Sequence, residues 1–209
     1  MILAAVVGMS EKTKKIKKYI IKQHTMMRIA VYCSSRDHLA PQYENAATAL
    51  GQWIGSHGYT MVYGGVKSGL MHTVAQAAHE SGGKLLGVVP ARFVERTDPL
   101  VDRVIKCHDL GDRKTIMMDN ADLFVVLPGG LGTIDEWIST LSQLIVNDGD
   151  RRSIVVVNID GIYDHQLAQL EATAHSVFAR GKHIDMSIAV DNIEEMNVQL
   201  EKVSNDYEK

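Results

Sequence analysis

The chain has 209 residues, of which 45% are hydrophobic and 22% are charged, and its formal net charge at pH 7 is −3. A chain of this length can bury a sizeable core, and the composition is that of an ordinary globular protein. The slightly negative charge argues against a nucleic-acid polymer as partner, because domains that bind such polymers usually carry a basic excess. The sequence contains no apolar run that approaches the roughly 18 residues needed to span a bilayer, so we expect no membrane partner.

The first 26 residues differ from the rest. Residues 1–7 are apolar and residues 12–22 carry six lysines, which is the reverse of the order in a secretory signal. Three interpretations stay open: a disordered or helical extension, a basic arm at a membrane surface, or a start codon assigned upstream of the true one. We expect the folded domain to occupy residues 27–209.

From Arg28 onward, apolar strand-like runs alternate with helical patterns. Strands are predicted over 29–33, 59–63, 84–89, 101–107, 122–127, 153–159 and 188–190. Helices are predicted over 41–57, 69–81, 111–120, 137–145 and 163–180. This alternation implies right-handed β-α-β crossovers and a parallel sheet with helices on both faces. We therefore predict one domain of the α/β class with a doubly wound, Rossmann-like sheet.

Cysteine usage points to a reducing compartment. The two cysteines, Cys33 and Cys107, lie in apolar strand-like runs and cannot form a disulfide framework. We expect buried, reduced thiols and a cytoplasmic protein.

Residues 127–136 read LPGGLGTIDE and join a predicted strand to a predicted helix. Such a turn exposes backbone N–H groups at a helix N-terminus, where the helix dipole also favours an anion. We expect a phosphate to bind at Gly129, Gly130, Gly132 and Thr133.

Two further loops should meet the first one. In a doubly wound sheet, the loops that follow the strands share one edge and form the ligand crevice. The loops at 34–36 and 64–69 follow predicted strands, so we expect Ser35, Gly64 and Gly65 to join the same crevice.

Neither glycine loop matches the better-known nucleotide motifs. Asp135 stands where G-x-G-x-x-G needs its third glycine, and Val66 stands where a Walker A motif needs glycine before its Lys-Ser. Dinucleotide and nucleoside triphosphate ligands are therefore disfavoured, and a simpler phosphate cradle remains.

The charged residues near the loop have structural alternatives. The segment from Thr133 to Glu136 fits the S/T-x-x-E capping box, and Asp135 could serve only to complement the helix dipole. Arg113 and Lys114 could form a solvated face of a short helix. From these residues alone, catalytic and structural interpretations both stay open.

Other kinds of site are weakly indicated. His72 and His79 share one helix face without a third ligand at useful spacing, so we expect no metal site. The serines at 34 and 35 lack a sign of a paired base, which disfavours a hydrolase with a serine nucleophile.

Taken together, these motifs resemble the Lonely Guy (LOG) family of cytokinin riboside 5′-monophosphate phosphoribohydrolases, whose relatives have often been labelled lysine decarboxylases. Residues 128–136 match the PGGxGTxxE signature, and Arg113, Lys114 and Met117 are similar to the family's RKxxM segment. The similarity extends over about 28–180.

The resemblance implies hydrolysis of the N-glycosidic bond of a purine nucleoside 5′-monophosphate, with or without an N6 substituent, to free base and ribose 5-phosphate. It implies Arg113 and Glu136 as catalytic residues and no metal or organic cofactor. The implied substrate-binding residues are Ser35, Gly64, Gly65, Lys114, Gly129, Gly130, Gly132, Thr133 and Asp135. It also implies a homodimer; from the sequence alone, the apolar residues of the helix after Glu136 could fill either a core or a partner face.

Three departures from the family pattern leave the identity of the base open. Val66 and His72 replace two usual glycines, and Arg92 replaces a common glutamate. All three are expected on the base side or rim of the crevice. A non-catalytic carrier of a phosphorylated ligand, similar to molybdenum-cofactor carriers, is the alternative function, although the presence of both Arg113 and Glu136 favours the enzyme. A lysine decarboxylase that uses pyridoxal phosphate has no support from the residues.

Overall fold

The computed structural model of the protein describes residues 26–147, 149–179 and 184–207. The expectations for residues 1–25 lie outside the described residues.

Seven strands form one sheet in which every strand pairing is parallel. The strands are β1 (Arg28–Tyr32), β2 (Thr60–Tyr63), β3 (Lys84–Pro90), β4 (Arg103–Cys107), β5 (Leu123–Val126), β6 (Ile154–Val157) and β7 (Ser187–Val190). The helices are α1 (Pro41–Ser56), α2 (Gly69–Glu80), α3 (Leu110–Asp119), α4 (Leu131–Val146), α5 (Asp164–Ala174) and α6 (Ile193–Tyr207). Short 3-10 turns lie at Ala91–Arg96, Ile159–Gly161 and Ile184–Met186.

The strand order is β4-β3-β2-β1-β5-β6-β7, which confirms the doubly wound α/β prediction. The chain builds outward from β1 in one direction and then returns to add β5 on the other side. The crevice of such a sheet lies where the strand order reverses, at the carboxyl ends of the two neighbouring strands. Here those strands are β1 and β5, and Ser34 N donates to Pro128 O at 3.2 Å just beyond them.

Helices cover both faces of the sheet and create two cores. Alternate residues of β1 point to opposite faces, as the pleat requires: Ile29 and Val31 join the core under α1, α2 and α6, whereas Ala30 and Tyr32 join the core under α3, α4 and α5. Each face buries a continuous apolar layer, and this burial is the main stabilising contribution to the fold.

Three helix predictions need correction. The pattern missed α6, because its buried residues, Met196, Leu200 and Ser204, form only a narrow stripe in an otherwise polar sequence. The helix predicted over 163–180 ends at Ala174; the apolar residues after it include Val177, which is exposed and so gives misleading periodicity. The helix predicted to begin at 137 begins at Leu131.

The apolar face of α4 fills this chain's own core. Trp137, Leu141 and Leu144 are buried there, and Ile138 and Ile145 pack against them. Both cysteines are buried and unpaired, as predicted. Within residues 26–147, 149–179 and 184–207, the helices are all too short or too polar to cross a membrane.

Candidate functional site

The glycine loop turns into α4 at once. Gly130 is the N-cap in an extended conformation, and the first intrahelical hydrogen bond runs from Ile134 N to Gly130 O at 3.1 Å. The amides of residues 131–133 therefore lie in the first turn, where a helix offers no acceptor of its own. This arrangement is the predicted anion site.

The early start of α4 shows that the capping-box interpretation is wrong. Thr133 lies inside the first turn rather than at the N-cap, so Glu136 is in the second turn and cannot reach back to a Thr133 cap. Thr133 is buried and packs against Gly129, where even a β-carbon would collide with the threonine side chain. Glu136 is thus free of the capping role.

Gly130 and Gly132 have a different reason to be glycine. A β-carbon at either residue would meet no atom within 4 Å, and neither residue has a positive φ. The fold itself therefore tolerates a side chain at both positions. Their lack of side chains keeps the space above the helix end open, which suits a ligand that approaches the amides closely.

Arg113 and Glu136 form a buried ion pair across α3 and α4. The start of α3 is fixed by Asp109, whose carboxylate accepts from Asp112 N at 2.9 Å, and this places Arg113 toward the sheet edge. Arg113 Nη2 donates to Glu136 Oε1 at 2.5 Å. The two side chains are 19% and 10% exposed. Gly64 leaves room for the arginine, since a β-carbon there would lie 3.4 Å from Nη1.

Burial dominates the electrostatics of Glu136. Loss of water raises the pKa of its carboxyl group, and the nearby positive charge of Arg113 opposes that rise without cancelling it. A carboxyl group with a raised pKa in a cleft is a candidate for proton transfer or for stabilising a developing cation.

A cavity of about 260 Å³, here named the central cavity, lies at the β1–β5 switch point. It is lined by Val31, Cys33, Ser34, Ser35, Arg36, Gly64, Met71, Arg113, Gly130, Gly132, Thr133 and Glu136. Seven predicted site residues therefore meet in one place: Ser35, Gly64, Arg113, Gly130, Gly132, Thr133 and Glu136.

Four predicted site residues lie outside the central cavity. Lys114 Nζ donates to both carboxylate oxygens of Asp135 at 2.8 Å, on the outer side of α3 and α4. Gly129 packs on Thr133, as described above. Gly65 has a φ of +68°, and a β-carbon there would collide with Val89 and the backbone of β3, so it is needed for the close approach of its loop to the sheet.

Sequence reasoning missed Cys33 and Met71 as lining residues, because their apolar character suggested core packing alone. Cys33 directly follows β1, so its place at the carboxyl edge of the sheet was the available signal. Burial raises the pKa of its thiol, and the negative charge of Glu136 adds to that effect. The thiol is therefore protonated and unsuited to act as a nucleophile.

A family model described as "Possible lysine decarboxylase" matches residues 71–200. The cytokinin riboside 5′-monophosphate phosphoribohydrolase LOG5 of Arabidopsis thaliana is 32% identical over 178 residues, which are 83% of this chain and 77% of the relative. The chain belongs to the LOG family. The rice (Oryza sativa subsp. japonica) relative named LOG is 32% identical over 87% of this chain and 75% of its own length.

Solved structures confirm the fold of this LOG-family chain. The molybdenum cofactor carrier protein of Chlamydomonas reinhardtii superposes with a TM-score of 0.67 at 20% identity, covering 87% of this chain and 99% of the carrier. The molybdenum cofactor binding protein of Rippkaea orientalis gives 0.66 at 19% identity, covering 86% and 98%. At such identities the likeness concerns the fold alone.

The family description raises the question of pyridoxal phosphate, which requires a lysine amine for its covalent attachment. None of the described residues that line the central cavity is a lysine. The nearby Lys114 is bound to Asp135 and to Ser139 Oγ instead. The residues at this site do not fit that cofactor.

Two of the three departures from the family pattern contact adjacent residues of one segment: Val66 forms an antiparallel bridge with Thr97, and His72 contacts Asp98. Arg92 lies over the ring of Phe93 at 4.7 Å. Of the three, only His72 lines either of the cavities at this edge of the sheet.

Proposed function

We propose that this protein hydrolyses the N-glycosidic bond of a purine nucleoside 5′-monophosphate, releasing the free base and ribose 5-phosphate. The observation that carries the proposal is the buried Arg113–Glu136 pair, which lines the same cavity as the open N-terminus of α4. Membership of the LOG family and the activity named for its plant relatives support the same reaction.

The phosphate end of the substrate belongs at the first turn of α4. The amides of residues 131–133 and the Thr133 hydroxyl offer donors there, and the helix dipole favours the negative charge. Gly130 and Gly132 leave the space that a phosphate needs. Binding at this remote group orients the ribose and holds its C1′ at the reacting centre.

Glu136 serves the ribose end. As the C1′–N bond breaks, its electron pair stays with the base, which takes up a proton, and the ribose becomes cationic like an oxocarbenium ion. The Glu136 carboxylate stabilises that cation and accepts a proton from the water that adds to C1′. Arg113 orients the carboxylate and favours its ionised form.

The substrate contacts in this proposal are Ser35, Gly64, Gly130, Gly132 and Thr133, which line the central cavity. Gly65 and Gly129 lie outside the cavity and allow close packing of the loop after β2 against β3 and of the loop after β5 against Thr133, respectively. Lys114 and Asp135 were predicted to bind substrate, and their position leads us to propose a supporting role through the charge that they place near Glu136. A cytokinin base, a cytoplasmic location and a homodimer stay predictions. The mechanism uses no metal ion or organic cofactor.

The decisive experiment is a screen of AMP, IMP, GMP and an N6-alkylated AMP, with free base and ribose 5-phosphate both quantified. We expect the two products in equal amounts from at least one nucleotide. The matching nucleoside without phosphate should react far more slowly, because it cannot use the α4 site.

The carrier alternative gives a different result in the same screen. A carrier would bind a phosphorylated ligand in calorimetry and release no base from any of the nucleotides. That result would overturn the enzymatic proposal and leave the α4 anion site in place.

A further inference from the structure

A second cavity, here named the rim cavity, has a volume of about 410 Å³ and adjoins the first. Arg36 lines both cavities. The central cavity alone is smaller than the roughly 300–1,000 Å³ of most small-molecule sites. Under the proposed function, a nucleotide whose phosphate lies at α4 has room for its base in the rim cavity.

His72 lies in the first turn of α2, on the wall of the rim cavity. Its neighbour Met71 lines the central cavity, and a β-carbon on Gly64 would lie 3.1 Å from Met71 Sδ and 3.4 Å from Arg113 Nη1. His72 itself lines the rim cavity, and its side chain is 27% exposed. None of the described residues that line the rim cavity belongs to the glycine loop of α4, so a base in that cavity lies away from a phosphate at α4.

Asp98 holds the imidazole in one orientation. It belongs to residues 91–102, here named the strap, which crosses the loop after β2; Asp98 N donates to Gly65 O at 2.8 Å. Its side chain is fully buried. One carboxylate oxygen lies 2.6 Å from His72 Nδ1, and the other accepts from Leu100 N at 3.1 Å. Both carboxylate oxygens are thus committed.

This geometry also selects the tautomer. An ionised carboxylate only accepts hydrogen bonds, so Nδ1 carries the hydrogen that binds Asp98. In the neutral imidazole, Nε2 is then an acceptor. Among the described residues, Nε2 has no hydrogen-bond partner. An oriented, unused acceptor lines the base side of the site.

We propose that His72, positioned by Asp98, binds the nucleobase through Nε2 and selects bases that carry an exocyclic amino group. This inference rests on the proposed function for the placement of the nucleotide. An amino group donates a hydrogen bond to Nε2. A keto oxygen at the same place is itself an acceptor, so neither it nor Nε2 would have a hydrogen-bond partner. AMP and IMP differ in this amino-for-keto exchange, and we expect about a 10- to 100-fold preference in kcat/KM for AMP.

Asp98→Asn gives the sharpest test because Leu100 N still needs an acceptor. The amide oxygen of the asparagine stays on Leu100, so its NH₂ group faces His72 Nδ1 and donates to it. The imidazole must then carry its hydrogen on Nε2, as when an asparagine in place of the aspartate of a catalytic triad imposes the other tautomer. We expect the preference to reverse in favour of IMP. His72→Ala should bring the AMP and IMP rates close together.

Two matched controls come from the same elements. Asp102→Asn alters another strap carboxylate that accepts a backbone amide, that of Leu85 at 2.8 Å, and His79→Gln alters an exposed histidine at the far end of α2. Both should keep the parental AMP-to-IMP ratio.

A purely structural clamp between α2 and the strap predicts another outcome. Asp98→Asn and His72→Ala would then lower both rates by the same factor and leave the ratio unchanged, which would overturn the inference while base release still supports the proposed function. If the parent releases no base from any nucleotide, the proposed function fails instead. The ratio of AMP to IMP dissociation constants is then measured by calorimetry. The His72 inference holds if this ratio reverses in Asp98→Asn, and it fails if the ratio is unchanged.

Discussion

Two ion pairs join α3 to α4 at adjacent positions, and they differ in almost every physical respect. Arg113 pairs with Glu136, and Lys114 pairs with Asp135. One residue along a helix turns the side chain by about 100°, so the first pair faces the central cavity and the second faces outward. The Glu136 side chain is 10% exposed, whereas that of Asp135 is 57% exposed.

The two pairs also differ in what they can contribute to stability. An exposed pair contributes at most about 1 kcal/mol. A buried pair is often no more stabilising than apolar residues of the same volume, because both charges lose their hydration. The buried carboxylate beside an open helix N-terminus is thus poorly explained by folding alone, and chemistry at the cavity gives it a reason.

The largest effect is expected from Glu136→Gln. The amide keeps the shape and can still accept from Arg113, but it cannot stabilise a cation by charge or take a proton from water. We expect kcat/KM to fall by about 10²- to 10⁴-fold, with the fold intact by circular dichroism. The neighbouring change Asp135→Asn should cost less than about 5-fold. Equal losses in the two variants would refute the distinction between the pairs.

Arg113→Met should come next, with an effect on the pH profile as well as on rate. In the proposed mechanism the ionised Glu136 is the active form, so we expect activity above its pKa and a loss of activity as the pH falls through it. Burial raises the pKa of Glu136 above its ordinary value, so we expect the loss of activity at low pH to begin at a higher pH than for an exposed glutamate. Arg113 lowers the pKa, so its removal should move this acid limb of the profile to higher pH.

Lys114→Met is the matched control for that shift, since it removes one positive charge from the adjacent position. Its acid limb should move much less than that of Arg113→Met. If the low-pH loss of activity stays at the same pH in Arg113→Met, a group other than Glu136 controls the pH dependence of activity.

A smaller effect is expected from the first turns of the same two helices, each of which has glycine as its second residue. A β-carbon at Gly132 enters the open central cavity, whereas one at Gly111 lies outside that cavity, 3.2 Å from the capping oxygen of Asp109. Gly132→Ala should raise KM by about 10-fold through lost phosphate contacts, each worth about 1.5 kcal/mol or more. Gly111→Ala should leave KM near the parental value. A similar rise in KM in both variants would contradict the proposal that the phosphate binds at α4.

The same contrast explains how far the sequence could predict the site. The glycine loop, the doubly wound parallel sheet and the shared edge follow from local patterns, because parallel β-α-β units obey strong topological rules. Glu136 could not be assigned, since Thr133 and Glu136 also fit a capping box. The start of α4 at Leu131 rules out the capping box, and helix ends are set by a few backbone hydrogen bonds that periodicity does not report.

The partnership of Lys114 with Asp135 was hidden for a related reason. Adjacent charged residues look equivalent in a sequence, and their exposure depends on the rotation of each helix against the sheet. His72 and Asp98 are 26 residues apart, and their contact needs the strap to fold back across the loop after β2. Such a long-range contact leaves no periodic signal.

The smallest effects are expected from changes to the outer ion pair, Lys114–Asp135, whose two charges act on Glu136 from a distance. The negative charge of Asp135 raises the pKa of Glu136, and the positive charge of Lys114 lowers it, both less than Arg113 does. Asp135→Asn should therefore move the acid limb of kcat/KM slightly to lower pH, and Lys114→Met should move it slightly to higher pH. The double variant should lie between them.

Because these charges are near the surface, the shifts should shrink as salt is added, whereas the Arg113→Met shift at the buried pair should persist. Shifts of the same sign in the two single variants would show that the outer pair acts on Glu136 through packing rather than through charge.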